Sequence, residues 1–252
     1  MPGIDPAWAL AVLLLWARLG SLLTLSPLAQ VVKAPSVFWV LFTLALSGTL
    51  CAALGLRAPL PDGVGGLSLL ILGEAALGTL LGLSLHMAFA ALSMAGRLLD
   101  LQMGFGMAAV LDPVTRANIP VVGVALTMLG MSAFLGGDGH HALLRGIAQI
   151  AQWVPPGAVW RLPDASLLAR AMGVMFSMTI VVMAPALFML LLTELVLDVT
   201  SRVLPQMNVL FIGMPVKALV GLSTLAIAAP GMAPALRRLF ASVFEFWQGV
   251  VP

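Results

Sequence analysis

AMGVMFSMTIVVMAPALFMLLLT, residues 171–193, contains no Asp, Glu, Lys or Arg. Wound as a helix rising about 1.5 Å per residue it is roughly 34 Å long, enough to cross a hydrocarbon core of about 30 Å. Four further charge-free stretches lie at 34–56, 75–96, 117–137 and 218–236, with a shorter one at 6–17. All are rich in Leu, Ala and Met and lack the alternation of a membrane barrel strand. They predict six long apolar helices, over about 7–28, 36–56, 66–95, 118–136, 166–200 and 212–235, the first containing Arg18. The predicted fold class is all-α, built of integral membrane-type helical hairpins.

Composition agrees. Of the 252 residues, 61% are hydrophobic and 9% charged, whereas soluble domains carry about 25% charged residues. So few charges cannot cover a soluble surface, which excludes a compact soluble enzyme and a disordered chain. A single cysteine, Cys51, excludes an intrachain disulfide scaffold. The net charge of +2 gives no electrostatic case for nucleic acid. The first residues lack the basic region of a cleavable signal peptide, so a retained helix is expected there.

Proline and glycine punctuate the chain at Pro27, Pro35, Pro59, Pro113, Pro155-Pro156-Gly157, Pro163 and Pro205. Pro185, Pro215 and Pro230 fall inside apolar runs, where kinks or broken helices are expected. Gly78 and Gly82 carry the G-x-x-x-G spacing of close helix packing, a spacing that a chain with 25 glycines also meets by chance. Lys and Arg divide six to four between alternate connections, too even to set an orientation.

Polar residues are rare enough for their positions to be informative. In AGRLLDLQMGFGMAAVLDPVTRANIP, 95–120, Arg97 with Asp100 and Asp112 with Arg116 are spaced for local ion pairs. Between them lies an apolar, glycine-containing stretch. It suits either a segment folding inward to block a passage or a re-entrant turn packed inside the protein. GGDGHH, 136–141, offers Asp138, His140 and His141; neighbouring helical side chains diverge by about 100°, so a helix start capped by Asp138 is expected and no metal site. His86 is expected as a satisfied interior histidine. Glu194, Asp198 and Arg202 share a helical stripe, either an interfacial helix end with one ion pair or a polar seam toward partners or a proton path. No catalytic motif occurs in a supporting context, so no enzyme activity and no cofactor are expected.

Taken together, AGRLLDLQMGFGMAAVLDP (95–113), DGHH (138–141), RVLPQMNVLFIGMPVK (202–217) and WARLGSLLTLSP (16–27) resemble the FliR family, the export-gate component of the bacterial flagellar protein export apparatus. Their order and spacing agree over about the whole chain. SctT-type injectisome subunits share the Asp-Pro loop but typically lack the Gly-His pair, so His140 favours the flagellar branch. The resemblance implies a FliP-like part, residues 1–165, fused to a FliQ-like hairpin, 166–252. It implies a structural and gating subunit of a pore in the bacterial inner membrane at the flagellar basal body, assembled with FliP and FliQ, wrapped by FlhB and served by FlhA. Unfolded flagellar export substrates pass through.

The resemblance also assigns the pore plug to about 104–118, with Gly104, Phe105, Gly106, Met107, Val110, Leu111, Asp112 and Pro113. The hairpin tip at the entrance falls on Pro205, Gln206, Met207 and Asn208. Arg97, Asp100, Arg116, Asp138, His140, Glu194, Asp198 and Arg202 are structural polar residues. Two departures stand out: Ser36-Val37-Phe38-Trp39 replaces a basic stretch, and the 57–66 linker is short and poor in charge. The competing class is a stand-alone secondary transporter using Glu194 and Asp198 as a coupling-ion site, although no repeat of halves is visible.

Overall fold

Asp5 starts the first helix: its side chain accepts a hydrogen bond from the Ala7 N–H at 3.1 Å, and Pro6 occupies the first helical position. An N-terminal helical turn has free N–H groups, and proline lacks only one that would be unpaired there. The computed structural model describes residues 5–27, 34–61, 63–105, 120–161, 163–204, 206 and 209–250. Among them all regular structure is helical: α1 (Pro6–Leu25), α2 (Ser36–Leu54), α3 (Gly63–Gln102), α4 (Val121–Gly136), α5 (Gly139–Trp153), α6 (Ala165–Val203) and α7 (Val209–Val250). α1, α2, α3, α6 and α7 are long and apolar enough to cross a membrane, and α4 with α5 qualifies as one interrupted segment.

Three expectations change. α3 runs to Gln102, not 95, because nothing in Arg97-Leu98-Leu99-Asp100 breaks a helix and the stop comes at Gly104. α7 is one continuous helix through Pro215, Pro230 and Pro234 to Val250, and α6 passes through Pro185. Prolines within these helices do not end them. In α7 the turns beyond Pro230 bury Met232, Leu236, Leu239, Val243, Phe246 and Trp247 at three- and four-residue intervals, packing that offsets the lost N–H bonds. α5 is a seventh helix, amphipathic rather than uniformly apolar, burying Leu143, Ile147, Ile150 and Ala151 and exposing Arg145 and Gln149.

The chain forms two compact units that interleave in sequence. The first comprises Met1–Ala88, Asp138–Met172 and Ala241–Pro252. Its core is Leu14, Leu15, Leu19, Leu22, Leu77, Leu81, Leu85 and Trp247. α1 and α3 cross with backbones nearly touching: a Cβ on Gly78 would lie 2.0 Å from the Arg18 carbonyl oxygen, and one on Gly82 2.6 Å from that of Leu22. The G-x-x-x-G spacing is therefore a true crossing point. Beside it Arg18 Nε donates to Glu74 Oε2, and Arg18 Nη1 donates to the Val154 carbonyl at 2.9 Å. Glu74 Oε1 accepts from the Gly157 N–H at 2.8 Å, and Trp160 Nε1 donates to the Gly73 carbonyl at 3.1 Å. The segment after α5 is thus fastened onto α1 and α3. At His86, where a satisfied interior histidine is expected, Nδ1 is buried with no hydrogen-bond partner among the described residues.

The second unit comprises Phe89–Gly137 and Gly173–Phe240. Phe89, Phe134 and Phe240 form its aromatic centre, with ring centroids 5.0–6.1 Å apart in tilted and edge-to-face geometry.

Candidate functional site

The end of α3 is built by Gly104. The Phe105 N–H donates to the Asp100 carbonyl at 3.0 Å and the Gly104 N–H to that of Leu101 at 3.1 Å. Gly104 has φ +86°. This pair of bonds around a left-handed residue is the Schellman ending, which a Cβ-bearing residue adopts only under strain. The chain leaves the helix at Phe105 and returns at Pro120, which precedes α4.

Asp100 holds the exit and the return together. Its backbone ends α3, while its side chain caps α4: Oδ1 accepts from the Val122 N–H at 3.0 Å and Oδ2 from the Gly123 N–H at 3.2 Å. Pro120 supplies no side-chain cap of its own. A carboxylate there meets two of the free donors and the positive end of the helix dipole. Asp100 is buried. The expected Arg97–Asp100 pair does not form, because both carboxylate oxygens face α4; Arg97 is exposed. A Cβ on Gly96 would lie 2.3 Å from the Gly123 Cα, so α3 and α4 touch backbone to backbone beside the clasp.

The root of the intervening segment rests on α7. Met103 is 1% exposed. A Cβ on Gly221 would fall 2.3 Å from Met103 Cε, and one on Gly104 3.3 Å from Met214 Cγ. Met214 and Gly221 are seven residues apart, two helical turns on one face. Between them Lys217 Nζ bonds Glu194 Oε1 of α6 at 2.8 Å.

Of the predicted plug residues, Gly104 and Phe105 are described; Gly106, Met107, Val110, Leu111, Asp112 and Pro113, with Arg116, lie outside the described residues. At the predicted hairpin tip Gln206 is an exposed turn residue, and Pro205, Met207 and Asn208 lie outside the described residues. The Glu194–Asp198–Arg202 stripe does not act as one unit. Glu194 pairs across the hairpin with Lys217, whereas Asp198 and Arg202 are exposed and join no ion pair among the described residues. Asp138 stands at the start of α5 but gives no side-chain cap. Its φ of +57° is left-handed, unlike the extended backbone of a capping residue, and its carboxylate lies 3.3 Å from His141 Nδ1. The His140 and His141 rings lie against each other at a tilt. Arg18, Glu74, Met214 and Gly221 were missed from sequence. For Arg18 and Glu74 the available signal was a lone charge inside or beside an apolar run.

The family described as "Bacterial export proteins, family 1" matches residues 9–243. This chain belongs to that family. Its relatives include the flagellar biosynthetic protein FliR of Pectobacterium carotovorum subsp. carotovorum, 36% identical over 70% of this chain and 68% of the relative. FliR of Bacillus subtilis is 32% identical over 70% of each chain. The secretion system apparatus protein SsaT of Salmonella typhimurium is 27% identical over 64% of this chain and 63% of its own length. Bacterial export family membership and helices of membrane-crossing length together make this a membrane protein.

Proposed function

We propose that this chain is the FliR-type structural and gating subunit of the flagellar type III protein export pore, passing unfolded flagellar proteins across the bacterial inner membrane. The observation that carries it is the family match over nearly the whole chain, led by relatives named flagellar biosynthetic protein FliR. Residues 1–165 are the FliP-like part and 166–252 the FliQ-like hairpin. The partners are FliP and FliQ within the gate, FlhB around its entrance and FlhA beneath. Residues 104–118 act as the plug, and the turn at 205–208 faces the entrance. The clasp supports this role: Asp100, Gly96 and Gly123 hold the two ends of the plug together, while Gly104 turns it off the helix. The subunit works by packing and occlusion, not by catalysis.

Likeness to SsaT favours a second reading, an SctT-type subunit of an injectisome. Of the two carboxylates the transporter alternative would use, Glu194 is bonded to Lys217, which leaves Asp198 alone to bind an ion.

Two measurements test the proposal. Native mass spectrometry after co-expression with FliP and FliQ from the same organism should find one copy of this chain in a larger defined assembly; a monomer ignoring both partners refutes it. Deleting 106–111 should make membranes leak small ions with assembly intact, and unchanged conductance removes the gating role.

A further inference from the structure

Asp138, His140 and His141 stand together at the start of α5, each with one ligand atom within 4.8 Å of the other two. All three are exposed. Adjacent positions on a regular helix diverge, but here His140 and His141 converge, their ring centroids 4.1 Å apart and their planes tilted by 38°. His141 Nδ1 lies 3.3 Å from Asp138 Oδ1. A tetrahedral ion with bonds of about 2.0–2.1 Å separates its ligand atoms by roughly 3.3 Å, so this edge already has the spacing of a coordination shell.

Nor is the carboxylate committed to the fold. Asp138 makes no capping bond to the helix, and its only side-chain partner among the described residues is His141. The three groups are free to rearrange around an ion, and exposure leaves room for water to complete the shell. Two imidazoles with one carboxylate suit a divalent first-row transition ion, not magnesium or calcium, which favour all-oxygen shells. Opposing this are the positive end of α5 and the exposed Arg145, one turn on from His141, which limit affinity for a cation.

We propose that Asp138, His140 and His141 form a surface site for one divalent transition-metal ion of the zinc and cobalt class. The site ties the left-handed residue before α5 to the first turn of that helix. It does not depend on the export role.

The test is titration of the detergent-purified, metal-stripped full chain with Co2+, followed by its visible absorption bands, and with Zn2+ by calorimetry. One equivalent should bind. His140→Ala and His141→Ala should each weaken binding at least tenfold, and Asp138→Asn severalfold. His86→Ala, at the remaining histidine, should leave it unchanged. Because the three ligand residues are exposed, their variants should keep the helical circular dichroism of the parent. Weak binding of several ions shared equally by all the variants means adventitious surface binding only and overturns the proposal. So does one equivalent that survives both histidine substitutions.

Discussion

Arg18 of α1 and Glu74 of α3 form an ion pair whose side chains are 2% and 3% exposed. Glu74 uses its second oxygen for the Gly157 N–H and Arg18 a further nitrogen for the Val154 carbonyl, so one charge pair fastens three segments. Buried ions persist only where partners meet them.

Removing one partner strands the other. Arg18→Ala or Glu74→Ala should therefore destabilise the chain by about 3–5 kcal/mol. Replacing both by apolar residues of similar volume, Arg18→Met with Glu74→Leu, should recover much of that loss. Thermal unfolding in detergent checks both results; a double variant no more stable than the singles contradicts the account.

The clasp makes a separate prediction. Asp100→Ala leaves the Val122 and Gly123 N–H groups buried without acceptors and should cost about 1–3 kcal/mol, with Asp100→Asn intermediate because it keeps one acceptor oxygen. Amide hydrogen exchange should quicken first at Val122 and Gly123, ahead of the rest of α4.

At two glycines the obstacle differs in kind. A side chain on Gly96 meets the Gly123 backbone, while one on Gly221 meets the flexible Met103 side chain. Gly96→Ala should cost more than Gly221→Ala, and Met103→Ala should rescue only the latter. Melting temperatures of the three single variants and of the two double variants that carry Met103→Ala decide this.

Glu194 and Lys217 pair at 2.8 Å with side chains 43% and 20% exposed. Solvent screening limits the pair to about 1 kcal/mol or less. Glu194→Lys should lower stability through like charges, and adding Lys217→Glu should restore it, as read from melting temperatures at low salt.

Asp164 is fully exposed, and the Ser166 hydroxyl and backbone N–H hold its carboxyl below the ordinary range. Since the folded group is the stronger acid, its contribution is present above the unfolded carboxyl range and disappears as pH falls through the folded value. Ser166→Ala should raise the Asp164 titration midpoint, observable by carboxyl-carbon NMR.

Much of the helical plan was legible because apolar runs of membrane length admit few alternatives once backbone groups must bond internally. The 171–193 run lies inside α6, whereas α3, expected to end near 95, runs on to the left-handed Gly104. Helix ends near proline were less legible. Local propensity argues against a helix through Pro230 and Pro234, and only burial of the residues beyond them carries α7 onward.

Side-chain partnerships were the least legible part. Spacing offered Asp100 to Arg97, yet the free N–H groups of α4 take both its oxygens. Spacing set Glu194 beside Asp198 and Arg202, yet it reaches Lys217 on the next helix. The sequence alone determined an all-helical membrane chain and its family motifs, because hydropathy and local backbone rules act over a few turns. Only the tertiary structure decided that Arg18 meets Glu74, that Asp100 joins α3 to α4 and that Met103 rests on Gly221, because those contacts depend on which helices pack side by side.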